Sequence, residues 1–190
     1  MQGSSISVPS KLFEAIQDLR DILLEAFSDE RLKTKKLKLI VAGEFYENEA
    51  SFKRRVRESG LEDDIILYDH YIKNEDVALF FCASNLVVQP YKSATQSGVS
   101  QIAYYFDTPV LVTDVGGLKE IIPHGKCGYV VEPDPQKIAD SILDYFENSR
   151  EKTFSDCVKK EKEKYSWKNI TDAITEVFYR CMLKQLIKAL

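Results

Sequence analysis

Five short runs of consecutive apolar residues, rich in Val, Ile and Leu, punctuate the chain from Leu37 onward: LKLIVAG (37–43), DIILYD (64–69), NLVVQP (85–90), TPVLVTD (108–114) and CGYVVEP (127–133). Most are apolar at successive positions rather than at alternate ones. That pattern belongs to strands covered on both faces, and both faces are covered when helices cross over between parallel strands. The runs therefore predict an α/β fold: a doubly wound, mainly parallel sheet of five to six strands with helices on both faces.

The segments between the runs supply the helices. Asn48 to Ser59 carries Phe52 and Val56 at helical spacing, with Gly60 placed to end it. Asn74 is the expected N-cap of EDVALFFCA, and Ser97 or Gly98 opens a helix through VSQIAYYF. After Pro135, Ile138, Ile142, Leu143 and Phe146 form one apolar stripe. The chain then stays helical to its end, and the charges of VKKEKEKY read as a solvated helix face. At the other end, Leu12, Ile16, Leu19, Leu23, Ala26 and Phe27 predict one amphipathic helix over Ser10 to Ser28. Residues 1–9 read as a disordered end or an expression remnant, with SSISV as a short strand the alternative, and residues 10–190 as a single domain.

Composition narrows the function. With 190 residues, 44% of them hydrophobic, the chain can bury a substantial core. A formal net charge of -4 provides no global positive field, so no nucleic-acid partner is expected. The 4 cysteines, Cys82, Cys127, Cys157 and Cys181, form no C-x-x-C pair, and 2 histidines add little. A reduced, cytoplasmic chain without a metal is the expectation. No apolar run approaches the roughly 20 residues that cross a bilayer. MQGSSISVPS has neither the basic start nor the apolar core of a signal peptide. His70 and His124 have no Cys, Asp or Ser at a spacing that suggests a triad or a metal site, and are read as structural.

In an open α/β sheet, ligands bind beyond the carboxyl ends of the strands, where the strand order reverses. Gly43 and Glu44 follow the first run, QPYKSATQSG closes the third, and DVGGLKE the fourth. The second loop places Lys92, Thr95, Gln96 and Ser97 directly ahead of a helix starting near Gly98. Free backbone N–H groups and the positive end of the helix dipole converge there, as at an anion or phosphate site. The bland alternative is that Thr95 and Ser97 only cap the helix. Gly116 and Gly117 let a second backbone turn approach a ligand, and two such loops on adjacent strands suggest a diphosphate. Glu120 either complements the helix dipole or accepts a hydrogen bond from a ligand hydroxyl.

In order, KLKLIVAGE, DIILYDHYIKNEDVALFFCASNLVVQPY and TPVLVTDVGGLKEIIPHGKCGYVVEP, with DPQKIADSILDYFEN and YSW behind them, resemble one family. It is the C-terminal, nucleotide-sugar-binding domain of the group 1 (family 4) glycosyltransferases, the Rossmann-like half of a GT-B fold. The resemblance covers about residues 36–167. It implies transfer of a sugar from a UDP- or GDP-sugar donor to a hydroxyl acceptor, with retention and without a metal or other cofactor. By position, it implies that Gly43 and Glu44 lie at the donor cleft and that Tyr71 and Ile72 flank the base. It also implies that Thr95 to Gly98 cradle the diphosphate through backbone amides, and that Gly116 and Gly117 line the sugar or phosphate region.

The departures are specific. The family's paired glutamates fall on Ala94 and Ile102, with Gln96 or Gln101 as polar substitutes, and no catalytic residue is assigned. Its Gly-Arg strand end and following Lys should precede DILLEAF, where KLFEAIQDLRD offers only Arg20 and Gln17. The family's first strand is expected to be missing or rewritten, either because the sequence is an excised or engineered domain or because, in a naturally reduced one, the Ser10 to Ser28 helix replaces it. The resemblance further implies a missing N-terminal acceptor-binding domain as partner, with membrane contact only through the intact enzyme. The chain alone is then expected to be inactive. The rival reading is a non-catalytic interaction domain or homodimer that keeps the fold with a degenerate donor site. A receiver domain is a third reading, opposed by the lack of an acidic cluster at the first strand's end.

Overall fold

The computed structural model describes residues 5–9, 16–43 and 49–189, with side chains over 21–43 and 49–182. Six strands build one sheet: β1 (Ser5–Pro9), β2 (Lys38–Ala42), β3 (Ile65–Tyr68), β4 (Leu86–Gln89), β5 (Val110–Thr113) and β6 (Gly128–Val131). Their order is β3-β2-β1-β4-β5-β6, and every neighbouring pair is parallel. The chain winds outward from β1 to β3, crosses back, and winds outward again from β4 to β6. The order thus reverses between β1 and β4, and the crevice for a ligand opens there.

β1 corrects two expectations. Residues 5–9 are the central strand, not a loose end, pairing Ser5 to Pro9 with Lys38 to Ala42 on one side. On the other side Ile6 and Ser7 pair with Leu86 and Val87. The first strand is therefore present, and helix α1 (Ile16–Phe27) follows it instead of replacing it. Ser10 to Ala15, the start of the expected helix, lie outside the described residues.

The consecutive apolar runs have the expected cause. In β4, Leu86 and Val88 join one core while Val87 joins the other, and in β5 Leu111 opposes Val110 and Val112 in the same way. The first core is closed by α1, α2 (Glu30–Lys33), α3 (Glu49–Glu58) and α7 (Pro135–Glu147). The second is closed by α4 (Val77–Cys82), α5 (Gly98–Tyr105) and α6 (Leu118–Ile121). α8 (Glu151–Lys162) gives Phe154 to the first core and Val158 to the second. Each fully buried Val, Leu or Phe contributes about 1.5–3 kcal/mol relative to exposure.

Local signals fix the helix ends. α3 stops in a Schellman turn: Gly60, at φ +66°, donates to the Arg57 carbonyl at 3.0 Å, and Leu61 donates to that of Val56 at 3.3 Å. Asp134 caps α7 by accepting from the Lys137 N–H. Asn74 does not cap α4. A turn from Lys73 to Asp76 intervenes, and Asp76 is the residue before the helix. The charged faces of α8 and of the 3-10 turn Glu163–Tyr165 lie mostly in solvent, as expected for VKKEKEKY.

The cysteines do not all stay reduced. Cys127, just before β6, and Cys157, on α8, form a disulfide with their Cα atoms 5.1 Å apart, while Cys82 and Cys181 are free and exposed. The two partners lie 30 residues apart, a distance at which pairing depends on the packing of α8 and not on local spacing.

Candidate functional site

The carboxyl ends of β4 and β5 carry two loops that hold each other. Thr113, the last residue of β5, donates its hydroxyl to the Tyr91 carbonyl in the loop after β4. Further along, the Gly117 N–H donates to the Thr95 carbonyl at 3.2 Å. Between these bonds the backbones cross so closely that a Cβ on Gly116 would collide with the Ala94 carbonyl oxygen. Gly116 also sits at φ +55°, the left-handed region that only glycine enters cheaply.

Below the crossing, Ser97 caps α5, its Oγ accepting the Ser100 N–H at 3.2 Å. The same Oγ donates to Gln89 Oε1 at 2.9 Å and meets the Tyr91 hydroxyl at 3.1 Å. Ser100 Oγ also donates to Gln89 Oε1, at 3.0 Å. Gln89, Ser97 and Ser100 are all buried. The serine has one proton and two lone pairs, and all three are committed, so its hydroxyl faces inward. What α5 presents outward is the backbone of its first turn, with the exposed Gly98 and the dipole's positive end. Burial pushes the Tyr91 phenol up, against the opposing hydrogen bond to Ser97, so it stays a neutral donor.

Of the residues singled out from sequence, Thr95, Ser97, Gly98, Gly116 and Gly117 come together here. Gln96 and Lys92 lie exposed on the same loop. Glu120 projects from the first turn of α6, its Oε2 3.9 Å from where a Gly117 Cβ would stand. Beside it Lys119 pairs with Asp114 at 3.3 Å. Ala94 is half-buried against the second core and Ile102 is exposed on α5, so neither position offers a carboxylate.

Gly43, Tyr71 and Ile72 lie on the other side of β1. Gly43 is buried and donates to the Tyr68 carbonyl at 2.9 Å, and Tyr71 is largely exposed. Glu44 lies outside the described residues. The loop after β3 is anchored by Lys53, which bonds Asp69 at 2.7 Å and Glu49 at 2.5 Å. These bonds raise the lysine's pKa and lower that of Asp69. His70 is exposed beside Asp69, and His124 Nδ1 accepts the Val130 N–H at 3.0 Å, a structural role. Among the described residues no group of three His, Cys, Asp or Glu could hold a metal.

Sequence reading missed Gln89, Tyr91 and Thr113. The available signal was a polar residue closing each of two otherwise apolar strands, LVVQ and VLVT.

The family model for the group 1 glycosyl transferases matches residues 9–148. The chain belongs to the group 1 glycosyltransferases. Within this family it is 33% identical over 132 residues to an uncharacterized glycosyltransferase, MJ1607, of Methanocaldococcus jannaschii, covering 62% of this chain and 33% of that protein. It is 26% identical over 159 residues to the human alpha-1,3/1,6-mannosyltransferase ALG2, covering 78% of this chain and 37% of that one. In structure it resembles Anabaena Alr3699/HepE, solved in complex with UDP. The TM-score is 0.77 at 18% identity, over 94% of this chain and 49% of that one. The chain thus spans about a third of these curated relatives and about half of Alr3699/HepE, and the fold is half of a GT-B fold. The family match ends as α7 closes, leaving α8 and α9 (Trp167–Ala189) beyond it.

Proposed function

We propose that the chain is the donor-binding part of a glycosyltransferase that moves a sugar from a nucleotide diphosphate sugar, UDP- or GDP-linked, to a hydroxyl acceptor. The observation that carries this reading is the interlock of the loops after β4 and β5. It fixes two glycine-bearing backbones against each other, next to the start of α5 and beside the strand-order reversal. Charge develops on the leaving diphosphate as the glycosidic bond breaks. Backbone N–H groups and a helix dipole already aimed at it stabilise that charge without reorganisation. Lys92, on the loop after β4, and Lys119, at the start of α6, are cations carried by the same two connections. On the far side of β1, Tyr71 and Ile72 flank the base and Gly43 lies at the donor cleft; Glu44 is assigned to the same cleft by the family resemblance alone.

The reading includes an acceptor-binding half as partner. α9 supports it: Trp167, Ile170, Ile174 and Val177 follow one another at helical spacing and are all exposed, Trp167 by 82%. Such a stripe gains free energy when another surface covers it. The chain alone then binds nucleotide without turnover, and its place of action is the cytoplasm, which cell fractionation tests. Calorimetric titration with UDP, GDP and their sugars tests the core of the reading. Binding of one base series at micromolar to millimolar ligand is expected. Silence with all of them at millimolar concentration overturns it, and sugar transfer by the chain alone overturns the claim of inactivity.

The same stripe on α9, with Ala94 and Ile102 in place of carboxylates, favours a second reading, a dimerising domain without donor chemistry. Light scattering that reports a dimer, together with nucleotide silence, selects it.

A further inference from the structure

We infer that Gln89 is the positioning residue of the α5 anion cradle, acting through Ser97; this deepens the donor-binding reading and rests on it. Gln89 ends β4, 2% exposed, and its Oε1 accepts two hydroxyl protons, from Ser97 at 2.9 Å and Ser100 at 3.0 Å. Because the one proton of Ser97 goes to Gln89, the Tyr91 hydroxyl donates to Ser97, and the remaining lone pair takes the Ser100 N–H. A side chain on the rigid sheet therefore sets the rotation of the capping serine. The serine in turn sets the pitch of the first turn, which aims the Gly98 and Val99 N–H groups outward.

Gln89 carries out this task with an unmet demand of its own. Its Nε2 is buried and has no hydrogen-bond partner among the described residues. A buried amide donor without an acceptor is a standing destabilisation that an apolar side chain of similar length would avoid. The unmet nitrogen is thus a cost carried by a side chain whose oxygen orients two hydroxyls, the pattern of a residue whose value lies in what it orients.

The inference is read in binding and in local exchange, at a temperature where every variant is folded. Gln89→Met is expected to weaken UDP binding about tenfold, and because it leaves the buried Ser97 and Ser100 hydroxyl protons without their acceptor, the melting temperature of the unliganded chain falls as well. Ser97→Ala weakens binding by a similar factor, and the double variant loses no more than the worse single one, because both changes break one relay. Amide exchange at Ser100 is expected to speed up in both single variants, a readout that needs no ligand. Losses that multiply in the double variant, or unchanged Ser100 exchange, each overturn the inference. Wild-type chain that fails to bind UDP or inorganic pyrophosphate defeats the donor-binding reading instead, and the exchange measurement still decides the relay.

Discussion

The Gly117 N–H donates to the Thr95 carbonyl at 3.2 Å, so the loop after β5 is held by the loop after β4 and neither has its shape alone. The crossing of Gly116 over Ala94 lies one residue before that bond. Loops that would be mobile on a lone strand end become one preorganised surface, which lowers the ordering cost of binding.

Substitutions at the two glycines separate strain from proximity. Gly116→Ala adds a left-handed backbone penalty of about 1–2 kcal/mol and an overpacking cost of about 1–3 kcal/mol. At Gly117 the new Cβ would stand 3.0 Å from the Thr95 carbonyl with no positive φ, so Gly117→Ala is the milder change. Thermal melts are expected to rank them in that order, and nucleotide titration to show Gly116→Ala as the greater loss.

Reducing the Cys127–Cys157 bond releases a link between residues 30 apart. The chain-entropy model assigns such a link about 3–4 kcal/mol. Urea unfolding with and without dithiothreitol measures the loss, and the thiol count in denaturant should rise from two to four. Equal stability in both conditions, with four thiols throughout, contradicts the bond.

Ser149 follows α7 at φ +49°, and no hydrogen bond of its side chain offsets that conformation among the described residues. Ser149→Gly is expected to stabilise by about 0.5–1 kcal/mol. That corresponds to roughly 1–4 °C in melting temperature for a chain of this size.

Burial raises the Tyr145 phenol above its ordinary value of 10.0, and its hydroxyl donates to the Asn85 carbonyl at 2.6 Å. A raised folded pKa means that the folded chain holds the proton longer than the unfolded one. The stability this contributes is full below pH 10 and declines as pH rises from there towards the folded value. Tyr145→Phe should cost about 1 kcal/mol at neutral pH, through the lost hydrogen bond, and flatten the alkaline decline. Urea unfolding from pH 7 upward reads both effects.

Strands β4 and β5 were legible because burial on both faces writes itself as consecutive apolar residues, and β2, β3 and β6 because their short β-branched and aromatic runs stand between helical segments, although Ile66 and Tyr68 of the edge strand β3 are exposed. β1 was legible only as the alternative reading of SSISV, because SISVP alternates with serine and ends in proline, and its central place in the sheet depends on partners at Lys38 and Leu86. Ser97 was readable as a cap from its position before a helix, since capping is local. Its bond to Gln89 was not, because it requires β4 and α5 to be packed together first. The Cys127–Cys157 pair is hidden for the same reason, and Asn74 misled because a good capping residue stood two positions before a turn that the helix does not include.

β1 also governs the order of assembly. β2 and β3 can pair early, as can β4, β5 and β6, since each of these contacts joins neighbours in sequence. The seam between the two groups closes only when Ile6 meets Leu86, the longest loop in the sheet and the entropically slowest to form. A chain shortened by its first nine residues would keep two half-sheets with their helices and no strand to join them. The crevice at the seam would then be lost along with the seam.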